Sequence, residues 1–290
     1  MSIDEGVPTE AEPTAGRAGD AYAMGRTQAE TERLVRQSGF YAPFTWRLFE
    51  QAGLGPGMWV LDIGTGAGDV ALMAAEMVGA SGSVVGVDHN PKVLKTARAR
   101  ALRAGLTNCT FLEGEAGELE ELDGGFDAAV GRLVLMHQQE PPKALRSVAT
   151  KVRSGGIVAF QEYNATARSM VAFPPTPLWE RALGWIAAAL EQAGVKTEMG
   201  FKLHRTFLEA GLPEPRMELN APVGGGPGWG GYEFAAGTLR TLLPLVERFG
   251  IATAEDVDVE TLVERLREEM VASGGVGKPP EMVSAWAPMP

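Results

Sequence analysis

The chain has 290 residues, 45% of them hydrophobic, with a formal net charge of -11 and a pI near 4.9. That length and apolar content predict one large domain, or one domain with a substantial insertion, around a sizeable core. The acidic balance argues against nucleic acid or an anionic membrane as partner, and the single Cys109 excludes an internal disulfide framework.

Residues 1–20, MSIDEGVPTEAEPTAGRAGD, are acidic and aperiodic. They predict a disordered tail and no secretory signal. No apolar run approaches a membrane-spanning length, and the lone cysteine suits a reducing compartment, so a cytoplasmic protein is expected. Helical periodicity runs from Thr27 to Ala52, with Pro43 expected to break or restart the helix. From Met58 to Phe160 strands and helices alternate. MWVLDIG, SVVGVD, NCTFLEG, FDAAVGR and GGIVAFQE read as strands. GDVALMAAEMVG, PKVLKTARARALRAG and PPKALRSVATKV read as helices, the last with proline in its first turn. Such alternation predicts right-handed crossovers and a parallel sheet, and the nearly continuous apolar strands predict cover on both faces. The basic run Lys95 to Arg103 reads as a solvated helix face. Beyond Glu162 come helices in TPLWERALGWIAAALEQAG and HRTFLEAG, a strand in PRMELNAPV and a flexible loop, GGGPGWGG. Two further helices and a closing strand, EMVSAWAPM, follow. There is no internal repeat.

The stretch VLDIGTGAGDVAL, residues 60–72, places Gly64, Gly66 and Gly68 between a strand and a helix. Ligands of open α/β sheets bind at such carboxyl ends, where glycine lets the backbone approach closely. The spacing is G-x-G-x-G, and Asp69 stands where a dinucleotide fingerprint has its third glycine. An acid at a helix N-terminus competes with pyrophosphate, and the lysine-bearing nucleotide loop is absent. The loop therefore suits a nucleoside without phosphates, with Asp62 welcoming a cationic group. Asp88, at the tip of the second strand, can accept from both hydroxyls of a ribose. Glu115 and Ala116, at the third tip, can meet an adenine edge. Asp62 and Asp69 also have a purely structural reading as capping or turn residues.

Taken together, VLDIGTGAGDVAL, VVGVDHNP, FLEGEA, FDAAVGRLVLMHQ and KVRSGGIVAFQEY resemble the successive motifs of class I S-adenosylmethionine-dependent methyltransferases. The likeness is to the ubiquinone/menaquinone-biosynthesis type of small-molecule methyltransferases, firmly over residues 40–165. It implies a Rossmann-like, mostly parallel seven-stranded sheet with helices on both faces and an antiparallel last strand, for which EMVSAWAPM is placed. It implies S-adenosylmethionine as cofactor and S-adenosylhomocysteine as product. Asp62 and the loop Gly64, Thr65, Gly66 and Gly68 would hold the methionine part. Asp88 would bind the ribose with His89 near the adenine, and Glu115 and Ala116 the adenine edge. Gly131 and Arg132 would lie beside the methyl group. Relatives often carry Asp at the position of Glu115.

The methyl group needs alignment, exclusion of water and, for some acceptors, removal of a proton. His137, in VLMHQQE, is the first candidate base, against a local packing role. Glu162 is the second, or else an anchor for a substrate or the N-terminal helix. His204, taken to open the helix HRTFLEAG, reads as structural. The fourth strand tip reads GRLV and lacks the D/N-P-P-aromatic motif of nucleic-acid amino-methyltransferases. No residue spacing suggests a metal site. Acceptor-pocket candidates lie outside the core motifs: Tyr22, Met24, Arg26, Tyr41, Phe44, Tyr163, Phe173, Trp179, Trp185, Trp229, Tyr232 and Phe234. Aromatic side chains in such numbers suit a hydrophobic or aromatic small molecule, and equally suit helix packing. GGGPGWGG could hinge a lid.

The organisation expected is a tail at 1–20, an N-terminal helical lid at 21–57 and a cofactor-binding core at 58–165. Residues 166–290 supply the remaining sheet with inserted helical lid segments. A homodimer is compatible with this reading. Two alternatives stay open: a protein of this fold that binds the cofactor but catalyses a cyclisation or other rearrangement, and a nicotinamide-dependent oxidoreductase.

Overall fold

The computed structural model of the chain describes residues 28–290. The expectations for residues 1–20 and for Tyr22, Met24 and Arg26 lie outside them. Seven strands form one sheet in the order β3-β2-β1-β4-β5-β9-β7. They are β1 (Trp59–Ile63), β2 (Ser83–Asp88), β3 (Cys109–Glu113), β4 (Phe126–Arg132), β5 (Val152–Asn164), β7 (Arg216–Asn220) and β9 (Glu281–Pro288). β1 to β5 pair in parallel, and β9 runs antiparallel between β5 and β7, as the resemblance implied for EMVSAWAPM.

Helices cover both faces, which is why the central strands carry apolar side chains on each side. Helices α1 (Gln28–Ala52), α2 (Asp69–Val78) and α3 (Pro91–Arg103) bury Leu48, Ala71 and Leu94 against Val60, Val84 and Val130. On the other face α4 (Pro141–Ala149) and α6 (Met199–Glu209) pack Leu145 and Phe207 against Leu61, Ile63 and Phe160. A further core belongs to the segments inserted around β7: α5 (Pro177–Gln192), α7 (Gly231–Arg248), the short α8 (Ala254–Val257) and α9 (Leu262–Ser273). A small sheet of β6 (Val171–Phe173) and β8 (Val276–Lys278), unforeseen from the sequence, closes over it. Among the described residues, no helix is long and apolar enough to cross a membrane.

Two expectations are corrected. Pro43 does not break α1, which runs through it unbroken. A helical proline frees the carbonyl four residues back and crowds it; here that residue is the exposed Gly39, where water can take the bond. His204 does not open its helix but lies inside α6, with Nε2 3.3 Å from Glu214 on the surface.

Candidate active site

The glycine loop leaves β1 in left-handed backbone, with φ of 64° at Gly64, 55° at Gly66 and 86° at Gly68. Only glycine takes these values without strain. The loop is tied from two sides. Thr65 N–H donates to Val87 C=O at 2.9 Å, and Gly66 N–H donates to Asp88 Oδ2 at 2.9 Å. On the other side Arg100 donates to Ala67 C=O at 2.7 Å and pairs with Asp69 at 2.7 Å, both side chains largely buried. The basic run of α3 is therefore not merely a solvated face: Arg98 also donates to Phe111 C=O on β3. Nor is Asp69 an uncompensated charge against pyrophosphate, since Arg100 neutralises it.

Beneath the loop lies Asp62, fully buried. Neither of its carboxylate oxygens, nor the Thr65 hydroxyl, has a hydrogen-bond partner among the described residues. Burial pushes the Asp62 carboxyl up to about 7. The Thr65 hydroxyl, the Arg132 guanidinium and the Ala71 N–H stand near enough to favour the anion without closing a bond on it, and Asp88 opposes them. Two orphaned carboxylate oxygens under a glycine turn fit a cationic ligand group, because an unpaired buried acid otherwise costs several kcal/mol, roughly.

Asp88 is nearly buried, and each of its oxygens already accepts one N–H at 2.9 Å, from Gly66 and from Asn90. A carboxylate has about four acceptor sites, so two remain for diol hydroxyls. His89 lies alongside, half exposed, with Nδ1 3.6 Å from Asp88 Oδ1. Glu115 is exposed and bridged to Glu118, whereas Ala116 is buried. Gly131 is glycine for packing: a Cβ there would meet the Phe160 ring at 2.5 Å. Arg132 donates to the Thr45 hydroxyl at 3.1 Å. Thr45 donates to Gln161, whose amide donates to Ser284 and to Phe44 C=O. This buried polar chain fixes α1 across the tips of β4, β5 and β9.

Comparison with known proteins identifies the family. A family model described as a methyltransferase domain matches residues 54–207, more than half of the chain. The chain belongs to the class I S-adenosylmethionine-dependent methyltransferases. It is 33% identical over 116 residues to an arsenite methyltransferase of Halobacterium salinarum, covering 40% of this chain and 30% of that protein. It is 33% identical over 130 residues to the ubiquinone/menaquinone biosynthesis C-methyltransferase UbiE of Ectopseudomonas mendocina, covering 44% and 51%. It thus spans about a third to a half of the length of these relatives. The crystal structure of YcgJ from Bacillus subtilis shares the fold, with a TM-score of 0.54 at 17% identity over 85% of this chain and 98% of that one. The cofactor of this methyltransferase family is S-adenosylmethionine. Its α-ammonium and ribose match the orphaned Asp62 and the acceptor capacity of Asp88, and the nicotinamide reading lapses.

Within the methyltransferase, the two candidate bases differ sharply. His137 ends a 3₁₀ turn, Leu135–His137, just after β4 and is half-buried. Glu162 is fully buried on β5, and both its oxygens are taken. Oε1 accepts from Val134 at 2.9 Å and Leu135 at 2.7 Å, and Oε2 from Met136 at 3.2 Å. Its anchoring target is thus the turn after β4, in place of the substrate or N-terminal helix that the sequence had suggested. Burial pushes its carboxyl up to about 8 against the pull of those three N–H groups.

Several of the aromatic candidates form one chain of ring contacts, linked through Phe40, which the sequence reading did not name; Trp185 is not part of it. Tyr163, at the end of β5, lies 5.2 Å from Tyr41, which lies 5.5 Å from Phe234. Phe234 stacks on Phe40 at 5.5 Å, Phe40 reaches Trp229 at 6.4 Å, and Trp229 meets Trp179 at 5.1 Å. Tyr41 and Trp179 are buried, while Tyr163 and Trp229 are half-buried. Phe173 stands apart, 78% exposed on the small sheet. The GGGPGWGG loop is a cradle as well as a connection. A Cβ at Gly224 or Gly231 would lie 2.4 Å from the Trp229 ring, and one at Gly225 would strike the Gly275 carbonyl. Those glycines admit close approach.

Proposed function

We propose that the protein transfers a methyl group from S-adenosylmethionine to an apolar small molecule carrying an aromatic or quinonoid ring, such as a quinone, phenol or secondary metabolite. The carrying observation is the aromatic chain, which starts at Tyr163, on the strand beside the one that presents Arg132. The bound cofactor supplies an electrophilic methyl group, so the protein's work is to bind, align and exclude water. Asp62 holds the cationic methionine end and Asp88 the ribose. Gly64, Gly66 and Gly68 let the backbone close on the cofactor, and Ala116 with Glu115 borders the adenine. Tyr163, Phe40 and Trp229, each half-buried, offer ring faces to the acceptor, while the buried Tyr41 packs behind them, and His137 takes its proton. We propose that residues 28–57, the described part of the expected N-terminal lid, cover a core of 58–165, and that the activity is cytoplasmic.

The arsenite relative suggests another acceptor, but this chain's chemistry disfavours it. Trivalent arsenic is a soft centre that thiolates hold. The chain has one cysteine, Cys109, at the entry of β3 and away from the strand tips. Burial raises its thiol to about 11, with the Asp62 charge adding to the effect, so it is poorly disposed to form a thiolate.

The test is formation of S-adenosylhomocysteine from S-adenosylmethionine with a panel of phenols and quinols, and separately with arsenite. Turnover with aromatic acceptors alone is expected. Turnover with arsenite alone would overturn the acceptor class, and cofactor binding without methylation of any acceptor would favour the rearrangement reading. With a working acceptor, His137→Gln is expected to lower kcat by about a hundredfold while leaving the cofactor KM within about threefold. An unchanged kcat would remove His137 from the chemistry.

A further inference from the structure

The chain leaves β4 through Leu133 at φ 59°, a left-handed value that costs a side-chain-bearing residue roughly 1–2 kcal/mol. It then enters the turn Val134–His137, and a strained exit of this kind holds its shape only where neighbours fix it. Three fixings are visible. Leu133 N–H donates to Gln161 C=O at 2.8 Å. On the carbonyl side, Met136 accepts from Lys196 N–H at 3.0 Å and Gln138 accepts from Lys196 Nζ at 2.5 Å. On the amide side a single side chain, Glu162, takes three successive N–H groups.

That turn touches the cofactor loop. Val134, buried, stands so close to Gly64 that a Cβ there would lie 2.5 Å from Val134 Cγ2. His137 closes the same turn. One carboxylate therefore sets both the wall against which the first loop glycine rests and the place of the candidate base.

We propose that Glu162 is a positioning residue of the cofactor site: it never touches the cofactor, and it sets the affinity by seating Val134 against Gly64. This rests on the S-adenosylmethionine reading above. The acid matters because a carboxamide of the same shape cannot accept all three N–H groups. Glutamine keeps one oxygen for Val134 and Leu135, but sets an amide donor against the Met136 N–H. The strand that carries Glu162 also carries Tyr163, so the cofactor-side turn and the acceptor-side rings are fixed by consecutive residues of one strand.

The experiment is calorimetric titration of the full chain with S-adenosylhomocysteine, for wild type, Glu162→Gln and Val134→Ala, well below each melting temperature. Val134→Ala leaves the Glu162 bonds intact and removes only the contact with the loop. In Glu162→Gln the Kd is expected to rise about tenfold, equivalent to ~1.4 kcal/mol. In Val134→Ala it is expected to rise about threefold to tenfold, with near-ultraviolet circular dichroism unchanged. A role in stability alone would lower the melting temperature and leave Kd within about twofold of wild type in both variants; that result overturns the proposal. If Glu162→Gln does not fold, Val134→Ala decides by the same criterion. If wild type itself does not bind, the cofactor reading fails and takes the proposal with it.

Discussion

Asp62→Asn is expected to weaken S-adenosylhomocysteine binding about a hundredfold, ~2.7 kcal/mol, while raising the melting temperature of the ligand-free protein at alkaline pH. Both effects come from one feature, a fully buried carboxylate whose oxygens find no partner among the described residues. Burial raises its pKa from 3.8 to about 7. A group whose folded pKa lies above its unfolded value lends stability below the unfolded pKa and loses it as pH rises through the folded one. For Asp62 the loss falls between pH about 4 and about 7, and for Glu162 between about 4.5 and about 8. Each is worth up to ~4–5 kcal/mol by the size of the shift. Carboxylates held low, such as Asp127 with its Trp59 N–H and Arg153 partners, act in the opposite sense at lower pH and leave this window alone.

The ligand-free protein should therefore melt progressively lower from pH 5 to pH 8.5. Asp62→Asn should flatten part of that slope and melt ~5 °C above wild type at pH 8.5. A cationic ligand reverses the balance, since it favours the ionised acid. Binding at pH 6 should release a fraction of a proton, visible as a binding enthalpy that varies with the buffer's ionisation enthalpy. At pH 8.5 that dependence should vanish. Scanning fluorimetry and calorimetry over this range settle the matter. Parallel melting curves for wild type and variant, together with equal affinities, would leave Asp62 without the role assigned to it.

What could be read in the sequence was what a one-dimensional pattern encodes. The strands β2 and β4 begin and end where SVVGVD and FDAAVGR did, because a strand covered on both faces is a nearly continuous apolar run with a polar tip. The loop was legible because its glycines are local necessities of backbone geometry. Partners that arrive from elsewhere in the chain were not. Glu162 looked like a base or an anchor because its chemistry is visible in sequence, while its three donors lie 26 to 28 residues away. Arg100 looked solvated because a basic stripe normally is, yet it meets Asp69 across the loop. Glycine and proline misled in the same way. Their letters signal flexibility and breakage, whereas in GGGPGWGG the glycines make room for Trp229, and at Pro43 the freed carbonyl belongs to an exposed residue.

Gly64→Ala and Gly66→Ala should separate folding from binding within one loop. Both residues have positive φ, so alanine at either costs roughly 1 kcal/mol in backbone strain. At Gly64 the added Cβ also meets three atoms of Val134, the nearest at 2.5 Å. Val134 is β-branched, buried and tethered by its own N–H to Glu162, so it cannot swing aside. Overpacking adds roughly 1–3 kcal/mol there, and the melting temperature should fall by ~8 °C. At Gly66 the added Cβ meets nothing nearer than the Gly64 carbonyl oxygen at 3.9 Å, so the fold should lose only ~2–3 °C. That same open space is where the backbone would approach the cofactor. Gly66→Ala should therefore cost at least about tenfold in S-adenosylhomocysteine affinity for little loss of stability. Calorimetry beside a thermal melt reads both quantities. A Gly66→Ala protein that binds as wild type would mean that the cofactor does not lie against this part of the turn. A Gly64→Ala protein as stable as Gly66→Ala would mean that Val134 yields, and with it the seating on which the Glu162 proposal depends.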